Sequence, residues 1–259
     1  MQQAVDLARM QNPALLSANA HVTATKESEI TAGLRANPNF TASGSDVSLP
    51  ASSNNPYFYS ANVSRLFERG QKRRWRLDVA HSTTDVTRSQ YADQERQVVL
   101  AVRTAFTQML AAKGALNLAK QNVDDYRKTI DLSRERLRVG DISATDFKRL
   151  DLQLAQFESD YDNAHTNLIQ ASDQLQTLLG YDRPHPGFDI TGSLDPPAIS
   201  TTLPDAEQKA LAARPDYLAA QQAVRVADAN VKLANAEGTT DPTIGGEYDR
   251  AGTENSAGF

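Results

Sequence analysis

From Gln71 onward the chain places apolar residues at every seventh position and sustains the pattern through two long runs. In the first run Val102, Met109, Leu116, Val123, Ile130 and Leu137 share one heptad position, and Ala105, Ala112, Ala119, Tyr126 and Ser133 share the other. In the second, Phe147, Leu154, Tyr161, Leu168 and Leu175 alternate with Leu150, Phe157, Ala164, Ala171 and Leu178. Apolar and small residues at this spacing demand long helices in close contact with a neighbour. No proline interrupts the chain between Pro56 and Pro184. A helix over 71–139 would extend roughly 100 Å at about 1.5 Å per residue. That is too long for a compact domain of this size to hide, so an ordinary globule is excluded.

The breaks between the runs are as informative as the runs. Val139-Gly140 ends the first helix, with glycine suited to a left-handed C-cap. Ser143-Ala144-Thr145-Asp146 then starts the second, with an N-cap serine and an acid three residues on. Leu179-Gly180 closes that arm. The two runs therefore form an antiparallel helical hairpin with unequal arms and a very tight tip.

The flanks of this hairpin resemble each other. A short helix, an Asn12-Pro13 break, an alanine-rich helix and Pro38 precede one strand-like stretch; a short helix, Arg214-Pro215-Asp216, an alanine-rich helix and Pro242 precede another. Proline at the first helical position sacrifices no hydrogen bond, so Pro13 and Pro215 open second helices instead of kinking single ones. Between the first copy and the hairpin lie strand candidates at 39–49, carrying Phe40, Val47 and Leu49 with a bulge expected at Gly44, and at 57–66, carrying Tyr57, Tyr59 and Val63. One face of this pair is apolar and the other small and polar. Alternation alone fits a half-buried soluble sheet, the commoner case, or the wall of a membrane barrel. The stretch 181–204 is proline-rich, an irregular connector with one short strand at 188–190.

Composition narrows the function classes. Only 40% of the residues are hydrophobic and none is cysteine. No run of eighteen apolar residues exists for a spanning helix, and disulfides, thiolate metal sites and cysteine nucleophiles are excluded. A formal charge of −5 argues against general nucleic-acid binding. The histidines His21, His81, His165 and His185 are scattered without a second ligand at helical spacing, and no phosphate-binding loop or nucleophile elbow occurs. Neither a cofactor nor an enzymatic activity is expected. The one dense basic run, Lys72-Arg73-Arg74-Trp75-Arg76, follows Gly70 where strand hands over to helix; a tryptophan flanked by cations suits a membrane interface if the strands cross one.

Taken together, Asn12-Pro13-Ala14-Leu15, Arg69-Gly70-Gln71-Lys72-Arg73, the tip 139–146, Leu178-Leu179-Gly180 and Arg214-Pro215-Asp216, in this order and spacing, resemble the TolC-like outer-membrane efflux proteins. The resemblance covers the whole chain. It implies a mainly α fold with a membrane β-hairpin, in which a long antiparallel coiled-coil hairpin is joined to strands of a trimeric twelve-stranded barrel, here a truncated protomer. The implied parts are a first helical pair (1–37), a strand pair (38–69), the hairpin (70–180), an equatorial connector (181–204), a second helical pair (205–240) and the start of a third strand (241–259).

The same resemblance implies a passive homotrimeric duct in the Gram-negative outer membrane with a periplasmic extension. A periplasmic adaptor and, through it, an inner-membrane pump would open it. Arg138, Val139, Gly140, Asp141, Ile142, Ser143 and Asp146 would meet the adaptor; Phe40, Val47, Leu49, Tyr57, Tyr59 and Val63 would face the lipid; Gly70, Lys72, Arg73 and Trp75 would form the barrel–helix junction. The competing expectation is a soluble periplasmic coiled-coil protein, structural or adaptor-like.

Overall fold

A computed structural model describes residues 1–45, 57–195, 202–252 and 254–259. In chain order the elements are α1 (Gln2–Gln11), α2 (Pro13–Gly33), β1 (Asn39–Ser45), β2 (Phe58–Leu66), α3 (Lys72–Arg138), α4 (Ala144–Leu179), α5 (Leu203–Ala213), α6 (Pro215–Glu237), β3 (Thr243–Ala251) and β4 (Glu254–Gly258). They divide into two compact units, Met1–Asn19 with Tyr91–Ala213, and Ala20–Gln90 with Arg214–Phe259.

The first unit is built on the heptad seam. Val102, Ala105, Met109, Val123, Ile130 and Ser133 of α3 and Leu175 of α4 are buried, and the other heptad residues of both arms are at least half-buried. Leu118, Leu132 and Leu152, which lie off the seam, are exposed. Tyr126 and Phe157 meet across the seam with ring centroids 5.0 Å apart, a pairing that adds to the area each ring buries. Near the base, Val5, Ala8 and Leu15 join Val98, Phe106, Leu110, Leu175 and Leu179 in one core cluster.

Two helix ends meet at that base, and one side chain serves both. Asn12, itself buried, accepts from the N–H groups of Ala14 (3.0 Å) and Leu15 (3.3 Å) at the start of α2. Its Nδ2 donates to the carbonyl of Leu178 at 2.8 Å, in the last turn of α4. Groups that would otherwise be buried without partners are thereby satisfied. The expected strand at 188–190 does not form. Instead Lys113 Nζ of α3 binds both carboxylate oxygens of Asp189 at 2.7 Å and the carbonyl of Ile190 at 3.2 Å, and Ile190 is buried in the core cluster. Salt bridge and apolar anchor replace a sheet partner.

In the second unit a four-stranded antiparallel sheet runs in the order β1-β2-β3-β4. The β1–β2 register is unbroken from Asn39↔Ser64 to Ser45↔Phe58, so the bulge expected at Gly44 is absent. Its lack of a side chain serves another purpose: a Cβ there would stand 3.3 Å from the Tyr59 ring. Residues 241–259, read from sequence as the start of one strand, contain two. The chain turns at Gly252, whose φ is +61°, and β4 pairs back on β3 from Ala251↔Glu254 to Glu247↔Gly258. In the same unit, the first turns of α3 carry small and hydroxylic residues at buried positions. Buried Thr84 and Thr87 donate to the carbonyls of Ala80 and Thr83 one turn back, and Ser89 donates to Gln222 of α6 at 2.7 Å.

Candidate functional site

Three regions hold the residues expected to function: the hairpin tip, the sheet and the junction between sheet and helices. Val47 and Leu49 lie outside the described residues.

At the tip, α3 ends in a Schellman arrangement. Gly140 N–H donates to Leu137 O at 3.0 Å and Asp141 N–H to Arg136 O at 2.9 Å, with Gly140 in the left-handed region at φ +82°. Residues 136 and 141 occupy the pair of positions where such caps commonly carry an apolar contact. Here they carry an ion pair, Arg136 Nε to Asp141 Oδ2 at 2.6 Å. Ser143 caps α4 by accepting from Asp146 N–H at 3.0 Å, and its own hydroxyl donates to Asp146 Oδ2 at 2.7 Å. Arg138 pairs with Glu135 at 2.8 Å. The tip's polar side chains are thus occupied within the tip, while Val139 is 69% exposed and Ile142 half-buried.

Strand registers sort the sheet residues into two faces. Phe40, Ala42, Tyr59, Ala61, Val63, Arg65, Ile244, Gly246, Tyr248, Arg250, Asn255 and Ala257 fall on one; Thr41, Ser43, Phe58, Ser60, Asn62, Ser64, Leu66, Thr243, Glu247, Asp249, Ala251, Glu254 and Ser256 fall on the other. The apolar face is uncovered, with Phe40 68% and Ile244 63% exposed. Tyr57 precedes β2, its ring 5.5 Å from that of Tyr59. On the polar face Ser43 and Ser60 share a hydroxyl–hydroxyl bond of 3.1 Å. Among the described residues β1 and β4 each have one strand neighbour, so each keeps an edge of unpaired backbone groups.

The junction explains the basic run. Gly70 and Gln71 both take positive φ, +66° and +59°, and reverse the chain into α3. Lys72 Nζ then reaches Thr239 O at 2.6 Å and Asp241 Oδ2 at 2.7 Å, just past the end of α6. Arg73 Nε donates to Gly33 O at the end of α2, and Arg76 donates to Leu34 O at 3.3 Å. Lys72, Arg73 and Arg76 therefore satisfy carbonyls at or just past the ends of both alanine-rich helices, where their charge is also favoured by the helix dipole. Arg76 also grips the carboxylate of Glu68 with both terminal nitrogens. That hydrogen bond holds Glu68 below the ordinary glutamate value despite its partial burial. Asp241 is held below the ordinary aspartate value, chiefly by Lys72 and then by the N–H of Arg69 at 2.8 Å. Trp75 lies between Arg74 and Lys232, each 5.3 Å from its ring centroid. Sequence reasoning named Gly70, Lys72, Arg73 and Trp75 for the junction and Arg76 as part of the basic run, but missed Glu68 and Asp241. Asp241 stands directly before Pro242, which marked a strand start and gave no hint of an ion partner.

Among the described residues no cluster of histidine and acidic side chains is placed to hold a metal ion, and no helix is long and apolar enough to cross a membrane.

The sequence profile of the family "Outer membrane efflux protein" matches residues 4–181. No curated protein matches the chain by sequence. Several solved structures share its fold. A membrane protein from Pseudomonas aeruginosa is similar with a TM-score of 0.80 at 18% identity, over 99% of this chain and 64% of that one. The CmeC outer membrane channel of Campylobacter jejuni gives 0.73 at 17%, over 99% and 60%. The open MtrE outer membrane channel of Neisseria gonorrhoeae gives 0.71 at 22%, over 95% and 57%. The chain spans about three fifths of the length of these structures. With its profile matched over well more than half the residues, and its hairpin, paired helices and sheet shared with these structures, the chain belongs to the outer membrane efflux protein family.

Proposed function

We propose that the protein is the outer-membrane channel of a tripartite efflux or type I secretion system: a passive trimeric duct from periplasm to exterior, opened by a periplasmic adaptor and an inner-membrane pump. The observation that carries this is the sheet. One face is aromatic and aliphatic between Arg65 and Arg250 near its two ends, the other hydroxylic and acidic between Phe58 and Leu66, and β2 and β3 have 9 residues each, close to the roughly 9–11 that cross a bilayer when tilted. Such a sheet is poorly suited to water, and its free edges are intolerable in lipid unless further strands close them. Three copies pairing edge to edge supply that closure. The polar face then lines the duct and Phe40, Tyr59, Val63, Ile244 and Tyr248 face lipid.

The heptad hairpin supplies reach. Its exposed off-seam leucines suit packing against neighbouring hairpins in a tube, and the tip presents Val139 and Ile142 on a frame stiffened by its own ion pair. In this role the protein carries no energy source; the adaptor shifts the tips between packings already available to them.

Cell fractionation tests the proposal. The protein is expected in the outer-membrane fraction as a cross-linkable trimer, and its deletion is expected to raise intracellular accumulation of exported compounds. Recovery of the intact protein from the periplasm without detergent would favour a soluble coiled-coil protein instead and overturn the proposal.

A further inference from the structure

At the foot of the sheet's apolar face lies a cavity of about 330 Å³ lined by Arg35, Arg65, Phe67, Glu68, Lys72 and Arg73 among others. Its charges do not balance. Glu68 is committed to Arg76 and Lys72 to Asp241 at 2.7 Å. Among the described residues neither Arg35 nor Arg65 meets an acidic partner, and Arg73 is held through Nε by a carbonyl. Three guanidinium groups therefore line one small space whose carboxylate, Glu68, is already taken by Arg76. Two of the three are held in place: Arg65 lies over the Phe67 ring at 5.6 Å, and the carbonyl of Gly33 anchors Arg73. Preset arginines are suited to phosphate, which they bind through paired charge-assisted hydrogen bonds.

Where Arg65 stands identifies the source of that phosphate. It pairs in register with Ile244, one step below Val63 and Phe40 on the uncovered apolar face. A ligand held there by its phosphate has exposed hydrocarbon directly beside it. We propose that this cavity binds the headgroup phosphate of an anionic phospholipid, whose acyl chains lie along Ile244, Val63 and Phe40. The proposal rests on the membrane reading of the sheet. It makes the junction a lipid-binding site as well as a brace for the ends of α2 and α6.

Native mass spectrometry of the intact protein in detergent, titrated with dioctanoyl phosphatidylglycerol, dioctanoyl phosphatidylcholine or inorganic phosphate, tests it. Phosphatidylglycerol is expected to bind more tightly than phosphatidylcholine. The double variant Arg35→Gln/Arg65→Gln is expected to weaken phosphatidylglycerol about tenfold or more, a loss of about 1.4 kcal/mol or more. Arg88→Gln, on the α3 surface where Arg88 pairs with Asp85, is expected to bind as the parent protein does. Arg35 lies outside every strand and helix, so Arg35→Gln alone, with an unchanged circular dichroism spectrum, provides the result if the double variant misfolds. Equal phosphatidylglycerol affinity in parent and variant proteins overturns the site, and so does displacement of the lipid by equimolar inorganic phosphate. Flotation with vesicles is read separately: a parent protein that does not float defeats the membrane reading, whereas parent and variant that both float but bind alike defeat only the site.

Discussion

At the scale of single residues, two glycines that look alike in sequence carry different constraints. Gly140 and Gly180 both end a helix with positive φ, +82° and +90°. A Cβ at Gly140 would meet nothing within 4 Å, whereas at Gly180 it would stand 2.4 Å from the carbonyl oxygen of Gln11. Alanine at Gly140 is therefore expected to cost only the left-handed backbone penalty, about 1–2 kcal/mol. Alanine at Gly180 adds an overlap with backbone that only movement of α1 against α4 can relieve, about 1–3 kcal/mol more. Thermal unfolding followed by circular dichroism checks the order; a Gly140→Ala midpoint below that of Gly180→Ala would refute it. Asp241 supports a prediction in pH. Its folded pKa is lowered, first by Lys72 and then by the Arg69 N–H, so its contribution is full above the ordinary aspartate value and disappears as pH falls through the lower folded one. Asp241→Asn is expected to be less stable than the parent at neutral pH, with the gap closing below about pH 4. Faster amide exchange at Arg69 in the variant is the accompanying signature. Caps were legible at this scale, because Ser143 and Gly140 act on neighbours in sequence. The roles of Asn12 and Lys72 were not, because the carbonyls they satisfy belong to residues 178 and 239.

Among the elements, the hairpin was the part most open to reading. A heptad is a statement about which side of a helix is covered, and the seam residues are covered while Leu118, Leu132 and Leu152 are not. The basic run was legible in composition but not in its partners. Carbonyls at or just past two helix ends fold onto Lys72, Arg73 and Arg76, and Arg74 lies against the Trp75 ring. The tip combines both cases: its capping was legible, but the ion pair across it was not. That pair separates shape from charge in the proposed adaptor contact. Asp141→Arg alone puts a second cation beside Arg136 and is expected to loosen the tip and abolish adaptor binding. Adding Arg136→Asp restores an ion pair, less about 0.3–1 kcal/mol because an acid is disfavoured in the last turn of a helix. If the adaptor reads the shape of the tip, the doubly exchanged protein should recover binding in a pull-down with purified adaptor; recovery of the unfolding midpoint without recovery of binding would show that it reads the charge at 141.

On the scale of the whole molecule, the alternation that left the strands ambiguous extends across four of them in register and supports the proposed membrane wall. One hairpin with a modest apolar face could be a soluble edge; four strands that gather Phe40, Tyr59, Val63, Ile244 and Tyr248 on one exposed face, and leave Phe58 and Leu66 at the ends of the other, call for a partner of similar area. The sequence pattern placed Phe40, Tyr59 and Val63 on that face but could not supply Ile244 and Tyr248, because their alignment depends on β2 pairing with β3 across nearly two hundred residues of chain. Adjacent residues at the centre of β2 therefore make the sharpest test of the proposed channel. Ala61 lies on the apolar face in register with Ala42 and Tyr248, and Asn62 on the polar face with Thr41 and Glu247. Arginine at Ala61 would stand in hydrocarbon near the middle of the strand, an expected cost of about 2–4 kcal/mol in each protomer of the trimer. Arginine at Asn62 would stand in the aqueous duct beside an acid and is expected to be tolerated. Outer-membrane fractionation and trimer yield on semi-native gels measure the difference. Equal assembly of the two variants would mean that the uncovered face does not meet lipid, and a reversed order would mean that the sheet is inserted with its faces exchanged.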